Sequence, residues 1–482
     1  MSRILLFLIA LALPAAATAA PPNYEEHIKP LFRAHCLKCH NADEANADLN
    51  LASYAAVLKG GSSGEVVKPG RPESSQLYRA MAHLDGAEAM PPESPKLGEE
   101  KIALVREWIR GGLIPGKGGK SMLRSVGELL AVKPGVASPM PASIPATPLS
   151  VTTRPPIPQA LATSPGAKLF AVSGQEQVLL FGTPTGGTEN DAPSNGEYTF
   201  LGALPFPEGT IHDLKFSRNG TLLMAAGGRG ASLGRVVLFD VKIGKRAAEI
   251  GDEVDSVLAA DVTSNHRFVA LGGPGRLVKI FRTDTGEAVH KIKKHTDWVT
   301  AVAFSPNGKL LATGDRSGGI HVWETNNGAI VFSLSEHKVR VTDLAWRSDS
   351  TILASGSDDG TVILWSLKDG FPVRNIVAHS QKSSPRYSRR TGVLDVNFAH
   401  DGRFLTTGRD ASTRLWSPDG QSVLKLSEPA LPVSPSLLAG GEQAVVGRFD
   451  GTLSIYDLKT KKLQQTLSTA SDRAVVSGKD KP

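Results

Sequence analysis

The pattern of apolar and polar positions changes character once along the chain. Between residues 24 and 110 apolar side chains recur at helical spacing, and from about residue 160 they come in short alternating or continuous runs. In the first part, Ile28, Leu31 and Phe32 predict a helix over 24–34, shortened or kinked by Pro30. Leu77, Tyr78 and Met81 share a face of a predicted helix over 74–81. Ile102, Leu104, Val105, Trp108 and Ile109 predict an amphipathic helix over 99–110, closed by Gly111 and Gly112.

The second part repeats. Phe239, Phe281, Trp323 and Trp365 end strand-like runs 42 residues apart. Trp416 follows after 51 residues, with an insertion over 380–390, and Tyr456 after 40. A degenerate earlier unit ends at Phe181 and is followed by a long loop over 187–197. A unit reads as an apolar run (299–304), a turn (Ser305, Pro306, Asn307, Gly308), a second run (310–314) and a third ending in Trp323. Seven such units, each of several short strands, predict an all-β seven-bladed propeller. The last blade's outer strand is expected either from 462–468 or from an N-terminal clasp over 149–153.

Length and composition sharpen this division. At 482 residues more than one domain is expected, and 40% hydrophobic with 21% charged residues is a globular balance. Glycine (49) and proline (32) are abundant, as turn-rich β structure requires. The net charge of +7 is dispersed without a Lys/Arg run or basic-aromatic motif, which suits acidic partners and argues against nucleic acid. Arg3, the apolar stretch 4–13, Pro14 and the small residues 15–20 read as a secretory signal over 1–20, cleaved after Ala19 or Ala20. An uncleaved anchor is the alternative. The expected arrangement is therefore signal 1–20, helical domain 21–115, Pro/Gly/Ala-rich linker 116–153, propeller 154–470 and polar tail 471–482. A periplasmic or otherwise extracytoplasmic location follows, with no transmembrane segment after cleavage.

The chemistry is concentrated in Cys36, Leu37, Lys38, Cys39 and His40. This C-x-x-C-H pattern is the attachment signature of a c-type haem: two thioethers to the vinyl groups and an adjacent imidazole for the iron. These are the chain's two cysteines. A lone disulfide, a zinc half-site and a redox dithiol are the duller alternatives. Zinc lacks a second cysteine pair, and a thioredoxin-type dithiol lacks its βαβ context. The candidates for a second iron ligand are Met81, His83 and Met90. Met90 lies in a loop stiffened by Pro91 and Pro92, which suits a ligand, whereas Met81 belongs to a helix face and suits the core. His83 is the rival, and His35 reads as solvated or propionate-facing.

The succession 47–51, 60–64, 67–70, 74–78, Met90-Pro91-Pro92 and 107–112 resembles the planctomycete-type c-type cytochrome domain. That resemblance covers about 24–113 and implies a small all-α, class I-like single-haem domain. It implies Cys36 and Cys39 as haem attachment, His40 as proximal ligand and Met90 as distal ligand. The fifth unit, 353–365, resembles the WD-repeat family. His295, His337 and His379 recur 42 residues apart, and Asp359, Asp410 and Asp450 each precede the terminal Trp or Tyr by six. In that family such side chains bond to one another within a blade, so these histidines are expected to be structural rather than metal ligands. Ser317, Gly275 and Leu233 stand where Asp would be in the earlier units.

The expected function is an exported single-haem electron carrier, not an enzyme, whose propeller docks a redox partner protein. The alternatives are a cytochrome–propeller oxidoreductase with a second cofactor in the propeller, and a haem-based sensor. The cysteine count excludes a two-haem peroxidase.

Overall fold

A computed structural model describes residues 22–62, 64–70, 72–73, 75–84, 87–92, 95–117, 138–144, 154–183, 197–380 and 391–470. The signal, the tail, the stretch 149–153, most of the linker and the 380–390 insertion named above lie largely or wholly outside them. Two compact units are present, Met1–Leu123 and Arg124–Pro482.

The first unit is helical. A π-helical turn, Tyr24–Ile28, starts at Asn23, whose Oδ1 accepts from Glu26 N at 2.9 Å. It runs directly into α1, Lys29–His35. Pro30 falls in the first turn of α1, where its missing N–H is harmless, so the predicted interruption becomes a junction between two helical forms. A short helix α2, Tyr54–Lys59, is capped by Ser53. It escapes a periodicity search because it is barely two turns long and buries only Val57. Helix α3, Gln76–Met81, and helix α4, Glu99–Arg110, follow. Tyr24, Phe32, Leu51, Val57, Met81, Val105, Trp108 and Ile109 form the core. The polar ends of its aromatics are satisfied: Tyr24 Oη donates to Leu51 O (2.8 Å), Tyr54 Oη to Leu113 O (2.6 Å) and Trp108 Nε1 to Ile114 O (3.0 Å).

The second unit is a seven-bladed propeller, each blade a four-stranded antiparallel sheet in chain order. Blade 1 runs from Leu161–Thr163 to Thr199–Pro205, blade 4 from Val299–Phe304 to Ile330–Leu334, and blade 7 from Pro432–Leu437 to Lys462–Ser468. The first strands of successive blades touch one another in a closed ring, blade 7 against blade 1 included. Carboxylates staple that inner ring: Asp213 accepts from Ala260 N (3.0 Å), Asp261 from Phe304 N (2.7 Å) and Asp343 from Val396 N (3.0 Å), each on another blade. Among the described residues ring closure uses no strand exchange. Lys462–Ser468 is blade 7's own outer strand, and all four strands of blade 1 come from the first part of the unit.

The repeat histidines are structural. His379 donates from Nδ1 to Asp410 (2.8 Å), because a carboxylate only accepts. Trp416 Nε1 donates to Thr406 Oγ1 (2.9 Å), and that hydroxyl meets His379 Nε2 at 2.7 Å. His337, Asp359, Ser355 and Trp365 repeat the pattern in blade 5.

Two expectations need correction. In blade 4 the acid is present after all: Asp315, two residues before Ser317, receives His295 Nδ1 at 2.8 Å. The turn is the same as in blade 5, and Asp315 stands at the strand-end position that Ser357 holds there, opposite Val299 as Ser357 is opposite Val341. Burial works to raise its pKa, but hydrogen bonds from His295 and Ser317 outweigh that and hold it at about 2. In blade 7 Asp450 is exposed and bonds to Thr452. Its expected place is taken by buried Glu428, which receives Arg448 Nε (3.0 Å) and Tyr456 Oη (2.8 Å). An arginine at 448 demands a buried anion, and among the described residues Glu428 is the one it pairs with.

Candidate functional site

The Cys36–His40 segment winds off the end of α1. Cys36 N donates to Phe32 O (2.7 Å), Cys39 N to Cys36 O (3.2 Å) and His40 N to Cys36 O (3.0 Å). One helical turn thus carries both thiols and the imidazole. Asn41 fixes the following loop, its Nδ2 donating to Leu37 O (2.9 Å) and its Oδ1 accepting from Asp43 N and Glu44 N (2.7 Å each). Leu51 N then bonds His40 O at 2.9 Å, tying the turn to the core.

Both cysteines are half-buried free thiols, and Cys36 packs against that core. Burial pushes the Cys36 thiol up to about 11. A thiol this hard to ionise is the opposite of the activated nucleophile in a redox dithiol. His40 Nδ1 is buried without a hydrogen-bond partner among the described residues. Leu37, Leu49, Tyr78, Leu97 and Leu104 pack partly exposed against the same core. Two unpaired sulfurs, an unsatisfied imidazole and an apolar rim fit a covalently attached haem. Among the described residues no three His, Cys, Asp or Glu side chains gather as an ion-binding group, so a zinc half-site finds no completing ligands.

The second-ligand candidates separate by environment. Met81 is buried in the helical core. Met90 is half-buried and its N donates to Ala80 O at 3.1 Å. His83 Nε2 lies 3.3 Å from Met90 O, so the rival histidine belongs to the same loop as the methionine. His35 faces Lys101, whose ammonium approaches Nε2 at 3.0 Å. Among the described residues no hydrogen bond or ring contact joins the loop of His83 and Met90 to the Cys36–His40 turn.

Fold and site together define a two-part class: a small helical cytochrome-type domain followed by a WD-repeat propeller. Residues 36–94 match the family model described as Planctomycete cytochrome C, a span that holds every candidate haem residue. Residues 286–324, 328–366 and 382–417 match the WD domain, G-beta repeat, model. The U3 small nucleolar RNA-associated protein 12 of Saccharomyces cerevisiae (strain ATCC 204508 / S288c) is 26% identical over 88 residues. That match covers 18% of this chain and 9% of the yeast protein's length. No described helix is long and apolar enough to cross a membrane.

Proposed function

We propose that the protein is an exported single-haem electron carrier whose propeller docks its redox partner. The observation that carries this reading is the single turn presenting Cys36, Cys39 and His40 as two free thiols and an imidazole beside an apolar core. Haem c bound there supplies one-electron transfer. The chain's residues do the rest. Cys36 and Cys39 hold the group, His40 offers its imidazole, Met90 offers its thioether, and the Asn41-fixed loop keeps the turn in place. Helical domain 21–115 and propeller 154–470 would then divide the labour, carrying the electron and choosing where it goes. Signal 1–20 accounts for maturation outside the cytoplasm, where thioether formation takes place.

The test is expression with an exported c-type maturation system, followed by haem staining of the denatured chain and intact mass. One haem per chain is expected, lost entirely in Cys36→Ser with Cys39→Ser; an unmodified chain would refute the reading. Met90→Ala is expected to abolish the methionine-to-iron charge-transfer band without releasing the haem. A band that survives assigns the second ligand elsewhere.

A further inference from the structure

One end of the propeller carries a cavity of about 690 Å³ lined by Leu258, Trp298, Thr300, Arg316, Val339, Arg340, Asp358 and Arg409. Antiparallel order puts the start of each first strand beside the turn joining the second and third strands. Trp298 immediately precedes Val299–Phe304, and Arg340 precedes Val341–Trp346. Arg316 lies in the turn after Leu310–Asp315, Asp358 in the turn after Ile352–Ser357 and Arg409 in the turn after Phe404–Gly408. Backbone bonds lock turn to connector: Arg316 N to Trp298 O (2.9 Å), Asp358 N to Arg340 O (3.0 Å) and Arg409 N to Gly392 O (2.9 Å). The rim is thus built on rigid elements of three consecutive blades.

Its chemistry is unbalanced in two ways. Three arginines and one carboxylate line the cavity. Asp358 is shared by Arg340 (3.0 Å) and Arg409 (3.3 Å), while Arg316 has no carboxylate partner among the described residues. Arg316 instead stands over the Trp298 ring, 5.1 Å from its centroid. Two apolar side chains also stay in water, Trp298 at 42% and Val339 at 43% exposure. An exposed Trp beside an unpaired Arg is the composition of an interface centre, not of an inert surface.

We propose that this end of the propeller docks an acidic polypeptide segment of a partner protein. An Asp or Glu pairs with Arg316 and Arg409, and a neighbouring apolar side chain covers Trp298 and Val339. The guanidinium fork matches a carboxylate in two parallel hydrogen bonds. The cavity has the size of a few side chains. A nucleic-acid backbone would need a continuous basic stripe, which Asp297 and Asp358 interrupt. The proposal rests on the docking role given above to the propeller, and it names the face and the partner's chemistry.

The test uses the full-length haem-loaded protein and a short fluorescein-labelled peptide of alternating Glu and Leu, with its Gln counterpart as control. Fluorescence anisotropy is expected to show saturable, salt-weakened binding of the Glu peptide and none of the Gln peptide. Arg316→Glu combined with Arg409→Glu, and separately Trp298→Ala, should each weaken binding about fivefold or more. Arg316→Gln should weaken it in the same direction while disturbing the fold least. Arg374→Glu, the same charge change on an exposed outer strand of blade 5, should leave binding intact. Equal binding of the Gln peptide, an equal loss in Arg374→Glu, or no binding would overturn the proposal. So would equal competition by an oligothymidylate or by anionic phospholipid vesicles. An unchanged haem spectrum in a variant that no longer binds peptide separates failure here from failure of the electron-transfer reading.

Discussion

Thr406 stands between two buried nitrogens that have no other partner among the described residues: its hydroxyl accepts from Trp416 Nε1 and meets His379 Nε2. Thr406→Val keeps the shape and strands both. Each orphaned group costs about 1–3 kcal/mol, so chemical denaturation should show a loss of about 2–6 kcal/mol. Blade 7 offers a sharper contrast. Glu428 and Arg448 are both buried and hold each other and Tyr456. Glu428→Gln leaves a buried guanidinium without its anion, for an expected cost of about 3–5 kcal/mol. Asp450→Asn changes an exposed turn and should stay within about 0.5 kcal/mol. Comparable losses in the two variants would mean that Asp450 supports the blade after all. Spacing alone favoured Asp450, since it lies six residues before Tyr456. The true partner is 28 residues from Tyr456, and only the strand pairing brings them together.

At the scale of elements, one turn recurs between the first and second strands of several blades. Ser217, Thr263 and Ser305 each bond an Asn two residues on at 2.8 Å, and the next residue takes a left-handed backbone. That residue is Gly220 in blade 2 and Gly308 in blade 4, at φ of 69° and 70°, but His266 in blade 3, at 56°. Glycine adopts this conformation without cost, whereas histidine is strained there. His266 is also fully buried with neither ring nitrogen partnered among the described residues. Burial depresses its pKa to about 4. A folded pKa below the unfolded value of 6.5 means that its neutral form supports the fold. That support is complete above pH 6.5 and drains away as pH falls towards 4. Relative to His266→Gly, the wild type should therefore lose about 2–3 kcal/mol between pH 7 and pH 4. Denaturation midpoints of the pair at the two pH values measure this, and a pH-independent difference would refute it. Pairwise comparison is needed because other groups oppose one another. Depressed His212, His321 and His379 act in the same direction, while burial raises Asp261, Asp343 and Asp395, which favour folding as pH falls. The elements themselves were legible where the pattern was long. Helix α4 has the predicted bounds because five apolar residues mark its face, and the blades emerge from a repeated 42-residue step. The short helix α2 and the role of Asp315 were not legible: α2 is too short to show a period, and Asp315 stands at the strand end, two residues before the position six ahead of Trp323.

For the whole molecule, the Cys36–His40 turn was readable because its two cysteines and its histidine fall within five consecutive residues. The proposed second ligand was less so, because Met90 and His83 share a loop some 50 residues away whose cue is its prolines. Ring closure was not readable at all, since two segments could supply the same strand. Among the described residues side chains close the ring. Gln465 clasps the backbone of Tyr198 on both sides, Oε1 accepting its N–H (2.9 Å) and Nε2 donating to its carbonyl (2.8 Å). Thr469 Oγ1 lies 2.7 Å from Pro156 O, and Thr163 Oγ1 lies 2.8 Å from both Ser436 Oγ and Leu437 O. Leu161, Phe170 and Phe181 of blade 1 pack with Val445, Leu453 and Ile455 of blade 7. No blade shares a strand with its neighbour, and at this seam the two blades are also not consecutive in the chain, so it is the place where the ring should open first. Gln465→Ala combined with Thr469→Val removes three of its hydrogen bonds, worth about 2–4 kcal/mol together. Amide hydrogen exchange in the full-length variant should then rise in Leu161–Thr163 through Thr199–Pro205 and in Pro432–Leu437 through Lys462–Ser468. Blades 4 and 5, on the far side of the chain order, should keep their protection. A rise spread evenly over all seven blades would show that the propeller opens as one cooperative unit and that this seam is no weaker than the others.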